Sequence, residues 1–209
     1  MKKKIVVQIP CLNEEKGIAN VIKQIKKITP KSRIIVYDNG SKDQSVQIAR
    51  KNGAEVRFIN KKGKGNVVRS MFSDKIDADY FVMVDGDNTY DLSNLNQMLE
   101  SMEKFNYDMI VGKRVHKDTQ AYRKGHVIGN KFFSNFVNLF FGKDITDIFS
   151  GLRVFSKRFV KTFPVYSDEF EIEAELTIHA LEQKLAVSEY ECNYSCLLYT
   201  SPSPRDEQS

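Results

Sequence analysis

Asp85 and Asp87 flank Gly86 directly after the apolar run Tyr80–Val84. Alternate positions of an extended segment point the same way, so both carboxylates are expected to reach one cation. Hard carboxylate oxygens suit Mg²⁺ or Mn²⁺, ions usually shared with a substrate phosphate. An acidic turn alone is common, and the position at the end of a hydrophobic run is what singles this one out. Two further polar clusters follow apolar runs in the same way. Pro10-Cys11-Leu12-Asn13-Glu14-Glu15 follows Ile5–Ile9, and Asp38-Asn39-Gly40-Ser41 follows Ile34–Tyr37. The Asp38 carboxylate can accept hydrogen bonds from a base N–H or from ribose hydroxyls, or it can serve in helix capping with Ser41. Lys61, Lys62 and Lys64, interleaved with Gly63 and Gly65, can approach phosphates through charge and exposed backbone N–H groups. The loop lacks the Walker pattern, which disfavours a P-loop kinase or ATPase.

The elements that must position these groups are legible through the first half of the chain. Ile5–Ile9 reads as a buried strand stopped by Pro10. Asn13 is expected to cap a helix carrying Glu14 and Glu15 in its first turn. Ile18, Val21, Ile22, Ile25 and Ile28 recur at helical spacing, and Thr29-Pro30 ends the run. A second strand at Ile34–Tyr37 leads to a helix over about Asp43–Asn52, closed by Gly53. Val56–Ile59 is a third strand, the basic glycine loop opens another helix, and Tyr80–Val84 is a fourth strand. Alternating strands and helices predict an α/β fold with a mostly parallel central sheet flanked by helices. Ligands in such sheets bind beyond the carboxyl ends of the strands, so the three polar clusters are expected to form one site.

The length suits one large domain, and the formal net charge of +5 fits partners that carry phosphates or an anionic surface. Cys11, Cys192 and Cys196 make neither a metal motif nor a disulfide framework. The chain has no run of about 18 apolar residues, the length a membrane-spanning helix needs. Phe132, Phe133, Phe136, Phe140 and Phe141 lie among Lys124, Lys131 and Lys143. Such a segment, over 126–142, suits a helix in a membrane interface or one packed beneath the sheet. After Tyr194 the composition shifts abruptly to Ser and Pro. From about Cys196 to Asp206 the string reads as the translation of a transposase adapter used in sequencing libraries. Residues 196–209 are therefore expected to be a non-native tail, with a domain at 1–195 whose natural C-terminus is expected further on.

Ile9-Pro-Cys-Leu-Asn-Glu-Glu15, Asp38-Asn-Gly-Ser-Lys-Asp43, Gly63-Lys-Gly65, Asp85-Gly-Asp87 and Ser150-Gly-Leu-Arg153 occur in that order. In order and spacing they resemble glycosyltransferase family 2, in particular its dolichyl-phosphate mannosyltransferase and polyprenyl-phosphate glycosyltransferase branch, over about Ile5–Tyr194. The resemblance implies a GT-A fold and an inverting transfer from a UDP- or GDP-sugar. It implies a donor-binding set of Pro10, Asn13, Glu14, Asp38, Lys64, Asp85 and Gly86, and Mg²⁺ or Mn²⁺ at Asp85 and Asp87. It implies a catalytic set of Asp87, Asp147, Arg114 and Arg153, the arginines near donor or acceptor phosphates. The family's Tyr-x-x-Arg segment is only half present: Tyr194 fits, and the arginine is missing.

The resemblance favours a polyprenyl-phosphate acceptor at the cytoplasmic face of a membrane, with peripheral contact through 126–142 and no nucleic-acid partner. An ionised lipid phosphate needs no general base, whereas a sugar hydroxyl needs one, with Asp147, Glu171 or Glu173 as candidates. Transfer to a hydroxyl in cell-surface polysaccharide synthesis, or a non-catalytic nucleotide-sugar-binding module, are the competing expectations. A nucleotidyltransferase would show a glycine-rich, arginine-containing loop after the first strand, and Pro10–Glu15 is not one. The absence of Trp disfavours a processive synthase with a Gln-x-x-Arg-Trp segment.

Overall fold

The computed structural model describes residues 3–116, 145–164, 166–168 and 171–195. Its strands are β1 (Ile5–Cys11), β2 (Arg33–Asp38), β3 (Glu55–Phe58), β4 (Tyr80–Met83), β5 (Met109–His116), β6 (Arg153–Ser156) and β7 (Val187–Tyr194). They form one seven-stranded sheet in the order β3-β2-β1-β4-β6-β5-β7. β1 pairs in parallel with β2 and β4, β2 with β3, and β5 with β7. Among the described strands only β6 runs against its neighbours, β4 and β5. The expected α/β architecture with a mostly parallel sheet is therefore present.

The period-2 alternation of the strands explains why both faces are covered. Val7 and Ile9 of β1, Ile34 and Val36 of β2, and Val82 of β4 enter one core. Val6, Ile35, Tyr37, Phe81 and Met83, one position away in each strand, enter the other. The first core is closed by α1 (Ile18–Ile28), α2 (Ser45–Lys51) and α4 (Leu95–Phe105). The second is closed by α3 (Lys64–Ser73), α5 (Lys157–Thr162) and α6 (Ile172–Glu182). Ile18, Val21, Ile22 and Ile25 make the buried stripe of α1, as their spacing requires. Gln8 is the polar exception inside β1. It is 1% exposed, and its amide donates to the Tyr37 hydroxyl (2.9 Å) and to the Met71 carbonyl (3.0 Å).

Two expectations about the first turn need correction. Pro10 does not stop β1; the strand continues to Cys11, with Pro10 opposite Tyr37. The Cys11 carbonyl accepts from Asn39 N–H on the β2 side, and the Gln8 carbonyl accepts from Val84 N–H on the β4 side. By alternation, the donor Pro10 lacks would point toward β4, whose pairing has ended by then. Asn13 does not cap α1, which starts at Ile18 with Gly17 before it. Asn13 instead takes a left-handed backbone, φ 58°, and turns the chain toward the loop after β2.

At the opposite end of the sheet, Asp108 joins three elements. Its carboxylate accepts from Arg158 Nε (2.8 Å), Ser156 Oγ (3.0 Å) and Ala186 N–H (3.2 Å). Burial alone would raise the Asp108 carboxyl; the Arg158, Ala186 and Ser156 donors outweigh it and hold the acid below the usual carboxylate range. A depressed folded-state value contributes stability above the unfolded value near about 4 and loses it as pH falls through the folded one. Asp108→Asn is expected to cost about 1–3 kcal/mol at neutral pH, with the gap to the parent protein narrowing in acid. Urea denaturation at pH 7 and pH 3 checks it; a gap of equal size at both pH values would remove the carboxylate from the acid response.

Candidate functional site

β1, β2 and β4 are parallel neighbours, so their carboxyl ends deliver Cys11–Glu14, Asp38–Ser41 and Asp85–Asp87 to one edge of the sheet. The clusters are tied to one another. Asn13 N–H donates to Ser41 Oγ (2.9 Å), and Asn13 Oδ1 accepts from Lys42 N–H (2.8 Å). Gly86 packs against Glu14, where an added Cβ would meet Glu14 Cγ at 3.3 Å. The Asn39 side chain donates to the Ile59 and Lys61 carbonyls and accepts from Gly63 N–H, which fixes the glycine loop beside the first two clusters. The common cleft is about 410 Å³, and Pro10, Glu14, Lys64, Asp85, Gly86 and Asp87 are in its wall.

The two aspartates converge through a turn rather than through strand alternation. β4 ends at Met83, Gly86-Asp87 is a turn, and Asn88 follows in a left-handed conformation, φ 62°. Close backbone approach sets the turn's position. A Cβ on Gly17 would lie 2.5 Å from the Gly86 carbonyl oxygen, and one on Gly151 would lie 2.0 Å from Asp85 Oδ2. Gly151 thus admits the Asp85 carboxylate against the segment before β6. Tyr90 holds that segment: its hydroxyl accepts from Gly151 N–H (2.8 Å) and bonds Ser150 Oγ (3.1 Å).

Asp87 Oδ1 accepts from Thr89 N–H (3.0 Å) and from Thr89 Oγ1 (2.7 Å), so both bonds fall on one oxygen. Burial raises the Asp87 carboxyl, the Thr89 bonds oppose it, and the Asp85 charge adds to the rise. Glu14 is pushed up to about 7, by burial first and then by Asp87, Asp85 and Asp43. Among the described residues no group of three or more His, Cys, Asp or Glu is arranged to hold a metal by itself. Two aspartates completed by donor phosphate oxygens are the usual way Mg²⁺ or Mn²⁺ is held, and the crowded negative charge at Glu14, Asp85 and Asp87 suits such an ion.

Lys64 opens α3 and donates to Asp85 Oδ1 (2.7 Å) and Glu173 Oε1 (2.6 Å). Burial alone would lower its ammonium; Asp85 and Glu173 outweigh that and hold it above the usual lysine value. The other two lysines are placed differently. Lys61 pairs with Asp168 (3.0 Å), and Lys62 donates to the Asn39 carbonyl. Three N–H groups here are not free for phosphates as expected: Gly63 N–H is taken by Asn39, and Gly65 and Asn66 N–H by the Asp168 carbonyl.

The remaining expected residues lie off the cleft wall. Asp38 is 2% exposed, and its carboxylate accepts from Gly40 N–H (3.0 Å) and Ser41 N–H (3.2 Å); it holds the turn after β2 rather than capping α2, which starts at Ser45. Arg114 and Asp147 hold each other. Arg114 Nε and Nη2 each reach an Asp147 oxygen at 2.7 Å, and Arg114 N–H adds a third bond at 3.0 Å. The Arg114 guanidinium also lies 5.5 Å from the centre of the Tyr194 ring. Arg153 is fully buried; its guanidinium donates to the Ser150, Ile148 and Glu173 carbonyls and to Thr177 Oγ1. Sequence reasoning left Tyr90 and the Lys64–Glu173 pair unread, because 109 residues separate the pair's partners and neither lies in a local pattern that names the other.

The chain matches the model of glycosyl transferase family 2 over residues 6–163. It is 50% identical to protein RfbJ of Shigella flexneri over 123 residues, 58% of this chain and 95% of that protein. It is 30% identical to glycosyltransferase AglJ of Haloferax volcanii over 180 residues, 86% of this chain, but spans only 59% of AglJ's length. A dolichyl-phosphate hexose transferase of Haloferax volcanii is 26% identical over 190 residues, 91% of this chain and 82% of that protein. In fold it is similar to glucosyl-3-phosphoglycerate synthase from Mycobacterium tuberculosis in complex with Mn²⁺, UDP and glucosyl-3-phosphoglycerate. The TM-score is 0.77 at 20% identity, covering 98% of this chain and 74% of that one. The family match runs through all the clusters gathered at the sheet edge, and the chain belongs to glycosyltransferase family 2.

Proposed function

We propose that this protein transfers a sugar, with inversion, from a UDP- or GDP-sugar to a polyprenyl phosphate. The donor lies across the cleft at the ends of β1, β2 and β4. Pro10, Glu14 and Gly86 line the nucleotide end, Asn13 and Asp38 hold the turns behind it, and Lys64 meets the diphosphate. Asp85 and Asp87 hold Mg²⁺ or Mn²⁺, which when bound stabilises the charge that develops on the leaving diphosphate. The solved complexes with Mn²⁺ or Mg²⁺ and UDP on the same fold support this donor reading. Asp147 keeps Arg114 aimed and charged beside Tyr194, where it can meet an acceptor phosphate. Arg153 serves as a positioning residue for the segment that carries Asp147 and Gly151.

One observation carries the acceptor assignment. The two buried carboxylates expected as general bases are both engaged by cations, Asp147 by Arg114 and Glu173 by Lys64. A carboxylate whose oxygens are taken by a cation is poorly placed to accept a hydroxyl proton, and Glu171, the third candidate, is exposed before α6; the arrangement favours a nucleophile that is already ionised. The dolichyl-phosphate hexose transferase relative supports the same acceptor class. The reading places the protein at the cytoplasmic face of a membrane, with contact through 126–142, a segment outside the described residues. Within them, no helix is long and apolar enough to cross a membrane.

The test is incubation with radiolabelled UDP- and GDP-sugars, polyprenyl phosphate in detergent, and Mg²⁺ or Mn²⁺. Label is expected in the organic phase, and only when metal is supplied. Label confined to water-soluble saccharide acceptors would overturn the lipid assignment.

A further inference from the structure

Lys64, Asp85 and Glu173 form an ion triad that a divalent cation must disturb. One ammonium bridges two carboxylates, at 2.7 Å and 2.6 Å. The carboxylates differ in access: the Asp85 side chain is 25% exposed and that of Glu173 is 6% exposed. A cation arriving from the cleft therefore meets Asp85 and not Glu173. A Mg²⁺ or Mn²⁺ ion sits about 2.1 Å from a carboxylate oxygen, close enough to displace or strongly repel an ammonium on the same group. Lys64 itself sits at the start of α3, anchored by Asn39 and Asp168 contacts to the loop around it, so its backbone has little room to retreat.

We infer that Glu173 is the seat to which Lys64 withdraws when a divalent cation takes Asp85, so that metal binding is coupled to a shift of one lysine between two carboxylates. Glu173 acts through Lys64 and is a positioning residue. The inference rests on the metal reading of Asp85 and Asp87 and adds a competing internal cation to it. Lys64 lowers the affinity for free metal. Once the donor diphosphate is present, the same ammonium gains a second anionic partner and no longer opposes the ion. Metal and donor then bind together more tightly than either alone.

The test is Mn²⁺ binding, read from the loss of the free-ion electron paramagnetic resonance signal, with and without UDP. It compares the parent protein with Lys64→Met, Glu173→Gln and the double variant. Lys64→Met is expected to tighten Mn²⁺ binding in the absence of UDP by about 10-fold and to shrink the gain that UDP brings. Glu173→Gln removes the alternative seat and is expected to weaken Mn²⁺ binding about 3-fold or more. The double variant removes both charges of a buried pair, which protects the fold, and is expected to bind Mn²⁺ as Lys64→Met does. Equal affinity of the parent and Lys64→Met would overturn the inference while leaving the metal reading intact. So would an effect of Glu173→Gln that persists undiminished when Lys64 is absent, since that would be plain charge and not withdrawal. Failure of the parent to bind Mn²⁺ even with UDP would overturn the metal reading and the inference together.

Discussion

Asp87→Ala is expected to lower metal-dependent sugar transfer by about 10³-fold while leaving the protein folded. The carboxylate is half-buried beside Asp85 and Glu14, where its charge is opposed by its neighbours. A group kept in such a place stabilises little by itself. Its removal relieves repulsion on Asp85 and leaves the Thr89 donors without their acceptor, a cost of about 1 kcal/mol. Transfer is expected to suffer far more, because on the proposed reading the leaving diphosphate gains negative charge in the transition state and Asp87 would help hold the ion that offsets it. Initial rates with Mn²⁺ measure the first quantity and urea denaturation the second. Turnover equal to that of the parent protein would remove Asp87 from the metal site. Lost turnover accompanied by unfolding would show a structural role instead.

Arg153→Met is expected to act the other way round, on stability first. The guanidinium is fully buried and satisfies the carbonyls of Ser150, Ile148 and Glu173 and the hydroxyl of Thr177. Burial pushes it down to about 10, with Glu173 and Asp147 the leading opposing charges, so it stays protonated at neutral pH. Methionine fills much of the volume but donates nothing. The stranded acceptors are expected to cost about 3–5 kcal/mol. For a domain of this size that lowers Tm by about 10 °C. Activity should fall as well, because Arg153 ties the segment bearing Asp147 and Gly151 to α6, and Gly151 abuts Asp85. Calorimetry alongside initial rates separates the roles. A Tm unchanged from the parent, with transfer lost, would return Arg153 to direct phosphate contact.

The contrast between these residues marks the limit of sequence reading. Asp85, Asp87, Glu14 and Lys64 were legible because each follows a strand signal or opens a helix, and parallel topology sends all such positions to one edge. Arg114, Asp147 and Arg153 were legible as motif members only. A charged residue in a motif looks the same whether it faces a ligand or the core, since what separates the cases is its partner. Asn13 was misplaced for a related reason. Asn, Glu and Glu before an apolar stripe is a helix-start pattern, but Ser41 and Lys42, 28 and 29 residues away, compete for Asn13 and delay α1 to Ile18.

The strand and helix alternation of the first half, the two apolar faces of each strand, and the edge at which polar clusters meet are all written along the chain. These follow from local periodicity, which neighbouring residues carry. Which carboxylates are held by cations, the reversed direction of β6, and the Lys64 bridge between Asp85 and Glu173 emerge only on folding. Those are pairings between distant residues. Their energy comes from burial and from charges brought within about 3 Å, quantities that exist only once the chain has closed on itself.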